Sequence, residues 1–584
     1  MNKTYYVCKY TPLELIEAMG GEPLNLNDMP ENFDLADQLV SPNLCGFSKA
    51  LIQAVYEGNI HELVLVNCCD SIRAAFDILK DSGKLDFIYM LDMLHAGFGC
   101  SREKIATELE KFIEVYGTCT GTTFDEKKFR DAFRAPEKTL APYIEVLGAR
   151  MGQQLFDMVS EAMPMPVKNA SCVHNRSVGA VKPPENFPDA NASATTLSQV
   201  LETSQTDENK AAKNGSDNKQ RIHALMDWYA GELLAQVPCM RMMDKTGRKQ
   251  LYNDPSIKGI IYHTIKFCDF YSFEYADIKQ NMSVPILKIE SDYTVQSSGQ
   301  LRTRLEAFAE SFETEDELIK GKKMGKGYVA GIDSGSTSTD VVILDKERNM
   351  IAGIILPTGA GAGNSAEKAL EEALTQTALT KEDIDAVVTT GYGRDAIKTG
   401  DKSITEITCH ARGAHFLEPS VRTVIDIGGQ DSKVIRMDEE GNVVNFVMND
   451  KCAAGTGRFL EMMAHTLQMS LDDMSKHGLT WDEDISISSM CTVFAESEVV
   501  SLIAQNKKVD DIVHGLNKSV AVKTNALVKR VGGEEKYMMT GGVSKNEGLV
   551  KTLSKTVGSD IIIRPEAQLC GALGAALYAA DMLQ

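Results

Sequence analysis

Two cysteines in the C-terminal part of the chain stand where a thiol can serve as a metal ligand. Cys452 lies in "NDKCAAGTGRFLE", a glycine-containing turn ahead of a helical pattern, and Cys491 opens the helical stretch "CTVFAESEVVSLIAQ". The dipole and the free N–H groups of a helix N-terminus favour a thiolate. Two thiolates are half of the four ligands of a 4Fe–4S cluster, so a symmetric dimer would supply the other half. A zinc site and a pair of buried, inert cysteines are the competing interpretations.

The same part of the chain contains turns suited to the phosphates of a nucleotide. In "GIDSGSTSTDVVILD" an apolar strand delivers Asp333 to a turn of small residues, and "DIGGQD" repeats this arrangement around Asp426. Backbone N–H groups in such turns hold phosphate oxygens, and a carboxylate can hold Mg²⁺ through water. A plain hairpin is the competing interpretation of the first turn. We predict hydrolysis of Mg-ATP with Asp333, Asp426 and Gln430 as catalytic residues. The predicted nucleotide-binding residues are Ser334, Gly335, Ser336, Thr337, Gly428, Gly429, Gly455, Thr456, Gly457, Gly541 and Gly542.

Cysteines in the N-terminal part form a second candidate set. Several follow an apolar strand-like run and precede a helical pattern, as Cys68 does in "ELVLVNCCD". At such a position backbone N–H groups can support a thiolate-bound anion. The candidate ligands are Cys45, Cys68, Cys69, Cys172, Cys239 and Cys268. Because cysteines are often simply buried, the rest are expected to be buried and inert, namely Cys8, Cys100, Cys119, Cys409 and Cys570.

Length and charge narrow the class of protein. A chain of 584 residues is too long for one ordinary core, so two or more domains are expected. A net charge of −21 argues against binding to nucleic acid or to an anionic membrane surface. The first residues, "MNKTYYVCKYTPLELIEAMG", lack the apolar core of a signal peptide, so we expect a cytoplasmic protein. The 13 cysteines are then not expected to form disulfides.

Changes in residue composition and hydrophobic pattern along the chain suggest the domain boundaries. Strand-like runs alternate with amphipathic helical patterns from the start of the chain, which indicates an α/β domain over residues 1–316. Residues 183–219 are rich in Ser, Thr, Asn, Ala and Asp and are predicted to form a mobile surface insertion. Residues 317–326 form the expected linker. Residues 327–584 consist of short β-rich runs with glycine turns, and two of these runs echo each other as a duplicated core would.

A third turn, "TGGVSKNEGLV", contains Gly541 and Gly542 after an apolar run and before a helical pattern. The three motifs in this order resemble the acetate kinase/sugar kinase/Hsp70/actin superfamily of ATPases. That resemblance implies a duplicated, ribonuclease H-like fold. Together with "TEITCHARGA", the two cysteine segments are similar to the BadF/BadG-type ATPases that activate 2-hydroxyacyl-CoA dehydratases. The resemblance implies that Cys452 and Cys491 hold one 4Fe–4S cluster between two protomers. It also implies that ATP binding rearranges the helices that flank the cluster.

The N-terminal part resembles the D-component of 2-hydroxyacyl-CoA dehydratases, which implies Rossmann-like α/β subdomains. The resemblance rests on "NCCDSIRAAFDIL", "GIIYHTIKFCDFYSFEYADIK" and "SDYTVQSSGQLRTRLEAF". A subunit of that family holds one 4Fe–4S cluster through three cysteines. This chain adds a thiol at the Cys68–Cys69 pair as well as Cys172 and Cys239. We therefore favour the pattern of the double-cubane cluster proteins, whose 8Fe–9S site has six cysteine ligands, over a single 4Fe–4S cluster.

The expected function is ATP-dependent transfer of low-potential electrons within one chain. A ferredoxin or flavodoxin would reduce the C-terminal cluster, and the N-terminal cluster would reduce a small molecule. A competing function is that of a 2-hydroxyacyl-CoA dehydratase with a fused activator, which would act on an acyl-CoA by radical dehydration. Two further functions fit the motifs, namely that of an ATP-switched redox sensor and that of a cluster-free, sugar-kinase-like enzyme.

Overall fold

The structure is a computed structural model in which the chain forms two compact units, Met1–Arg302 and Thr303–Gln584. The residues that it describes are 2–41, 43–93, 101–134, 141–178, 182–184, 207–295, 298–313, 325–359, 361–450, 453–487 and 492–583. Most of the predicted linker, 317–326, lies outside these ranges. Within them, no helix combines the length and the apolar character that crossing a membrane requires.

The first unit alternates strands and helices along the chain, as its sequence pattern predicts. Its strands are β1 (Lys3–Tyr6), β2 (Glu22–Asn25), β3 (Glu62–Val66), β4 (Phe87–Leu91), β5 (Tyr143–Gly148), β6 (Val167–Asn169), β7 (Ile257–Ile265) and β8 (Ile286–Ser291). Its helices are α1 (Leu13–Ala18), α2 (Gly46–Tyr56), α3 (Asp70–Asp81), α4 (Ser101–Thr120), α5 (Glu126–Asp131), α6 (Gln153–Ala162), α7 (Asp207–Ala235) and α8 (Asp269–Asn281). Helix α9 (Ser298–Glu310) contains the boundary between the two units.

The eight strands form two parallel sheets with the same topology. Their orders are β2-β1-β3-β4 and β6-β5-β7-β8, and every neighbouring pair is parallel. Parallel sheets carry helices on both faces, which explains why all five side chains of β3 are buried. The prediction of an α/β unit with two Rossmann-like subdomains is confirmed. The carboxyl ends of the strands, where such folds bind ligands, carry the cysteines described below.

Helix α7 occupies part of the predicted insertion. Residues 185–206 lie outside the described ranges, whereas residues 207–219 belong to this helix. Residues 207–219 therefore have helical backbone, and the mobility of the insertion stays a prediction. Their composition, "DENKAAKNGSDNK", includes Ala, Lys and Glu, which extend a helix readily once the apolar stretch that follows has nucleated it.

The second unit contains ten strands and eight complete helices within its described residues. The strands are β9 (Tyr328–Ser334), β10 (Ser338–Leu344), β11 (Met350–Pro357), β12 (Ile384–Thr390), β13 (Lys402–Ser403), β14 (Thr423–Ile427), β15 (Ser432–Met437), β16 (Val443–Asn449), β17 (Tyr537–Thr540) and β18 (Ile561–Ile562). The helices are α10 (Ala362–Thr377), α11 (Glu406–Leu417), α12 (Gly457–Thr466), α13 (Leu471–His477), α14 (Thr492–Ala504), α15 (Val509–Val531), α16 (Glu547–Val557) and α17 (Cys570–Asp581).

The two sheets of this unit repeat one topology. Their orders are β11-β10-β9-β12-β13 and β16-β15-β14-β17-β18. In each sheet three antiparallel strands lead into two parallel ones. The hairpins β9–β10 and β14–β15 are the two echoing sequence segments. The predicted duplicated, ribonuclease H-like fold of the actin/Hsp70/sugar-kinase type is confirmed.

Helices α11 and α17 approach each other closely through glycines. A Cβ atom on Gly574 would lie 1.8 Å from the carbonyl oxygen of Cys409, and one on Gly413 would lie 2.2 Å from that of Cys570. No other residue type permits this contact without a shift of backbone. His410 follows Cys409 directly on α11, so this packing also fixes the position of the His410 side chain.

We predict that Gly574→Ala destabilises the second unit. The added methyl group forces α11 and α17 apart, and overpacking of this kind costs about 1–3 kcal/mol. The free energy of unfolding in urea measures the effect. Gly361→Ala is the matched control, because the nearest atom to its added Cβ would be 3.7 Å away. Equal unfolding free energies for Gly574→Ala and the unsubstituted chain would contradict the close packing.

Candidate functional site

A cavity of about 310 Å³ in the second unit is lined by the turns predicted to bind a nucleotide. The turns follow β9, β14 and β17, where the two sheets carry equivalent strand ends. The predicted residues that line it are Asp333, Gly335, Ser336, Thr337, Asp426, Gly428, Gly429, Gly457, Gly541 and Gly542. Its volume falls in the range of small-molecule sites.

Four predicted residues do not line this cavity. Ser334 is fully buried at the end of β9, and Gln430 is exposed at the tip of the β14–β15 hairpin. Thr456 is the N-cap residue of α12, and its hydroxyl donates to the carbonyl oxygen of Ala453 at 2.6 Å. Gly455 has a φ of +104°, a conformation that other residues rarely adopt. In this structure Thr456 and Gly455 shape the turn, and they do not face the cavity.

His410 stands between the two equivalent aspartates. Its Nε2 atom lies 3.8 Å from Asp333 Oδ2, and its Nδ1 atom lies 3.8 Å from Asp426 Oδ1. Burial raises the pKa of Asp333 to about 7, although His410 opposes this shift. Burial acts in the same direction on Asp426, but His410 and Lys433 outweigh it and hold the pKa of Asp426 below its usual value. The two equivalent carboxylates thus have different pKa values, because their surroundings shift the pKa of Asp333 upward and that of Asp426 downward.

Lys433 is a functional residue that the sequence prediction missed. Its buried ammonium group lies 3.3 Å from Asp426 Oδ2 and 2.8 Å from Asp431 Oδ2. The two carboxylates raise the pKa of Lys433 well above its usual value despite its burial. The available signal was its place at the start of β15, directly behind the "GGQD" turn. It neutralises the carboxylates at the end of the cavity where a phosphate would sit.

Glu406 is a second missed residue, and it points to a cation. It is the first residue of α11, lines the cavity and is 2% exposed. Neither of its carboxylate oxygens accepts a hydrogen bond from the described residues. Asp340, also on the cavity wall, has one such oxygen, Oδ1. Arg394 Nη1 lies 3.5 Å from Glu406 Oε2, so it balances part of this charge. The oxygens that accept no hydrogen bond from the described residues can still accept from the water ligands of Mg²⁺, so the donor set fits the predicted Mg-ATP.

The phosphate turn is bonded to the start of α12. The N–H group of Gly457 donates to the carbonyl oxygen of Gly428 at 2.8 Å, and that of Arg458 donates to Gly429, also at 2.8 Å. Cys452 and Cys491 both lie outside the described residues, but α12 begins five residues after the first of them and α14 directly after the second. These two helices share one hydrophobic core. A displacement of the phosphate turn therefore acts on the helices next to both cysteines.

The six predicted N-terminal ligands line one cavity of about 50 Å³ in the first unit. Three of them, Cys45, Cys69 and Cys268, are the N-cap residues of α2, α3 and α8. The free N–H groups of three helix starts therefore lie near this cavity, which favours thiolates and bound anions. The complete set of cysteines on its wall is Cys8, Cys45, Cys68, Cys69, Cys172, Cys239 and Cys268.

The predicted thiols lie in three close pairs, namely Cys45 with Cys268, Cys68 with Cys69, and Cys172 with Cys239, and Cys8 lies beside Cys68 in the same way. The Cys268 thiol and the N–H groups of Phe47 and Ser48 lower the pKa of Cys45 to about 7 despite burial. Cys172 and Arg241 lower the pKa of Cys239 well below its usual value. Among the described residues no three His, Cys, Asp or Glu side chains are grouped to hold a single ion. Pairs spread around a cavity suit a polynuclear group.

Cations surround these thiols. Lys9, Arg150 and Arg241 line the cavity, and no carboxylate does so among the described residues. The Arg241 guanidinium lies 3.9 Å from Cys239 Sγ, and its buried Nε atom has no described hydrogen-bond partner. Lys9 Nζ donates to Asn175 Oδ1 at 2.7 Å, and burial lowers the pKa of Lys9 to about 8. A buried cationic wall without carboxylates fits an anionic occupant, as a thiolate-bound iron–sulfur cluster is.

The remaining described cysteines differ in their burial and in their surroundings. Cys409 and Cys570 are buried in the second unit, as expected. Cys8 is buried too, but it lies against Cys68 on the wall of the cysteine cavity, so its local sequence hid its position. Cys119 is exposed near the end of α4, and the expectation of burial is wrong there because that face of the helix meets solvent. Cys100 lies outside the described residues.

Comparisons with known proteins match both units. Residues 330–579 match the sequence model of the "BadF/BadG/BcrA/BcrD ATPase family". Residues 8–225 and 199–312 match that of the "2-hydroxyglutaryl-CoA dehydratase, D-component". The chain is 46% identical over 254 residues to a 2-hydroxyisocaproyl-CoA dehydratase activator of Clostridioides difficile. The aligned region covers 44% of this chain and 95% of that protein.

Two further relatives cover the same share of the chain. An activator of lactoyl-CoA dehydratase from Anaerotignum propionicum is 46% identical over 257 residues, 44% of this chain and 99% of that protein. The solved structure of the activator of the 2-hydroxyisocaproyl-CoA dehydratase from Clostridium difficile with bound ADPNP is 45% identical. It covers 44% of this chain and 94% of that one, with a TM-score of 0.42.

We predict that Lys433→Met weakens both folding and nucleotide binding. Removing one partner of a buried ion pair costs about 3–5 kcal/mol, because the remaining charge stays buried without compensation. Urea unfolding and the affinity for a non-hydrolysable ATP analogue measure the two effects. Lys398→Met, at an exposed position of the same unit, is the control. If both variants bind the analogue alike, Lys433 has no role in the site.

Proposed function

Because the chain belongs to the BadF/BadG/BcrA/BcrD ATPase family through its second unit and to the 2-hydroxyglutaryl-CoA dehydratase D-component family through its first, we propose that it transfers low-potential electrons from one unit to the other at the expense of ATP. In this proposal the second unit is the ATP-driven injector. The first unit is the acceptor, and it reduces a small molecule.

The observation that carries the proposal is the convergence of six thiols on one cation-lined cavity. We assign Cys45, Cys68, Cys69, Cys172, Cys239 and Cys268 as ligands of an iron–sulfur group there. Such a group supplies one-electron chemistry when bound. Lys9, Arg150 and Arg241 balance its negative charge, and the N-terminal N–H groups of α2, α3 and α8 support the sulfurs. The grouping in three pairs favours a double cubane of six ligands over a cubane of three.

In the second unit we assign the nucleotide to the cavity between the two duplicated halves. Gly335, Gly428 and Gly541 let the backbone approach the phosphates, and the carboxylates of Asp333 and Asp426 face the site of Mg²⁺. The bonds from Gly457 and Arg458 pass any movement of the Gly428–Gly429 turn to α12. The coupling can be no larger than the difference in nucleotide affinity between the two conformations.

We further propose that Cys452 and Cys491 hold a 4Fe–4S cluster shared between two copies of the chain. The exposed face of α14, which follows Cys491, supports this arrangement. Val493, Phe494, Val500 and Ile503 are 58%, 66%, 53% and 42% exposed. Val493, Val500 and Ile503 are spaced so that they fall on one side of the helix. An apolar face beside an incomplete ligand set fits a second copy of the same helix.

A dehydratase with a fused activator is the second candidate, favoured by the D-component match over residues 8–312. Its first unit would hold one 4Fe–4S cluster through three of the six cysteines and act on a 2-hydroxyacyl-CoA. The electron donor in either case is a ferredoxin or flavodoxin. We place the reaction in the cytoplasm, where thiols stay reduced.

The first test is the iron and acid-labile sulfide content of anaerobically purified protein. A shared cubane contributes about two irons per chain, a double cubane about eight and a single cubane about four. We expect about ten irons per chain, because all six thiols lie on one cavity. About six would favour the dehydratase, and a chain free of iron would contradict both candidates.

The second part of the test follows the electrons. With reduced ferredoxin and Mg-ATP, the absorbance of the first unit's cluster should bleach only while ATP is present. Cys452→Ala should lose about two irons per chain and all ATP-dependent bleaching, yet keep the iron of the first unit. Cys119→Ala, at an exposed thiol, should behave like the unsubstituted chain. Bleaching at the same rate without ATP would contradict the proposed coupling.

We predict that Val500→Asp weakens the dimer by at least about tenfold, because it places a charge in the apolar face, and tenfold corresponds to about 1.4 kcal/mol. Sedimentation velocity over a concentration series measures the dissociation constant. Val522→Asp is the control, since Val522 is 55% exposed on the neighbouring helix α15. An unchanged dimer in Val500→Asp, or equal weakening in both variants, would rule out this face.

A further inference from the structure

The last turns of helix α9 belong to the second unit, although they lie outside the ATPase family match. That match begins at residue 330, whereas the D-component match extends to residue 312. Residues 303–310 nevertheless group with the second unit, and Ala307 is part of one of its hydrophobic cores. The charged side chains of this segment pair with residues of the nucleotide-binding unit at three places.

The first place reaches the wall of the nucleotide cavity. Arg394, which is 5% exposed, donates from Nη2 to Glu306 Oε2, and its Nη1 atom lies 3.5 Å from Glu406 Oε2. Nη1 also donates to the carbonyl oxygen of Gly391, another residue of the cavity wall, at 3.0 Å. Glu306 thereby orients the guanidinium that lies beside Glu406. Since the Glu406 oxygens accept no hydrogen bond from the described residues, the guanidinium is the cation that holds this carboxylate in place.

The second place is the start of α11, the helix that carries Glu406 and His410. Glu310 accepts hydrogen bonds from the backbone N–H group of Thr405 at 2.9 Å and from its hydroxyl at 2.5 Å. It also accepts one from the hydroxyl of Thr408. A carboxylate at a helix N-terminus is stabilised by the free N–H groups and by the helix dipole. Glu310 therefore acts as a cap for α11 supplied from another helix.

The third place lies at the end of β16. Arg304 Nη2 donates to Asp450 Oδ1 at 2.7 Å, and both side chains are largely buried. Asp450 directly follows β16 and stands two residues before Cys452 in the sequence. About two turns of α9 thus contact Arg394 behind the cavity wall, the start of α11 and the residue that follows β16.

We propose that the C-terminal half of α9 is a working part of the ATPase site, in which Glu306 positions Glu406 through Arg394. Glu406 faces the cavity beside Asp333 and Asp426, where it can hold a water molecule or a hydrated cation against the nucleotide. Glu306 is a positioning residue, because it touches Arg394 and not the nucleotide cavity. The ATPase activity of the second unit then depends on a helix that belongs, by sequence, to the dehydratase-like half.

Steady-state ATP hydrolysis by the full-length chain tests this assignment. We expect Glu306→Gln to lower kcat about tenfold or more while the KM for ATP changes less than about threefold, since Glu406 and not the nucleotide contacts is disturbed. Glu306→Asp keeps the charge and should restore part of the loss. Glu534→Gln is the matched control, because it breaks the exposed pair with Arg436 in the same unit. An unchanged kcat in both Glu306 variants would overturn the proposal.

A double-substitution cycle separates positioning from general destabilisation. Glu406→Gln should itself lower kcat, and adding Glu306→Gln to it should cost nothing more, because the two residues act along one path. Additive losses would mean that Glu306 acts on the fold alone and would overturn the assignment. The readout does not depend on iron, so the assignment and the proposed electron transfer can fail separately.

Discussion

Two backbone hydrogen bonds connect a turn of the nucleotide cavity to the start of α12, the helix that follows the proposed cluster ligand Cys452 in the sequence. They run from Gly457 and Arg458 to Gly428 and Gly429, at 2.8 Å each. Their importance comes from where they act: the acceptors form a turn of the nucleotide cavity, and the donors begin α12. A side chain can change rotamer and lose its contact, but backbone groups at a helix start and a tight turn move only with the backbone that carries them. The sharing of a core by α12 and α14 extends this linkage to the second helix.

The two cavities occupy similar places in their folds but have side chains of opposite charge: cations line the cysteine cavity, and carboxylates line the nucleotide cavity. Both lie at the carboxyl ends of strands and at helix starts, where unpaired N–H groups attract anions. The cysteine cavity adds cations and, among its described residues, no carboxylate, so it can balance a group whose ligands are thiolates. The nucleotide cavity instead contains several buried carboxylates, with only His410 and Lys433 close to the central pair. Carboxylates next to a phosphate repel it unless a cation or a proton balances their charge, and a metal ion bound to the phosphate supplies such a cation.

The sequence predicts those features of this protein that a local pattern determines. The two similar strand–turn–strand segments predicted the duplicated core. Most of the residues in their turns line the nucleotide cavity. Local pattern was misleading where one residue in a turn faces away, as Gln430 does, or serves the turn itself, as Thr456 does. The sequence analysis missed Glu406, His410 and Lys433 because their positions in the cavity depend on which strands and helices meet. The local sequence around a charged residue on a helix or strand is the same whether that residue lines a buried site or lies at the surface. Cys8 was missed for the same reason: only the sheet order brings β1 beside β3, and so Cys8 beside Cys68.

The second unit begins at Thr303, whereas the ATPase family match begins at residue 330. Buried charge pairs explain why the residues just after Thr303 belong to this unit. Arg394 is almost fully buried, and with Glu306 removed its remaining side-chain contacts to described residues would be a longer one to Glu406 and one to a carbonyl group. The N–H group at the start of α11 likewise relies on Glu310, which lies 95 residues earlier in the chain. Buried ionic groups stripped of their partners are costly, so the ATPase unit needs α9 as much as its own helices. The paired charges of residues 304–310 therefore place this end of α9 in the ATPase unit, although the dehydratase-like sequence match includes it.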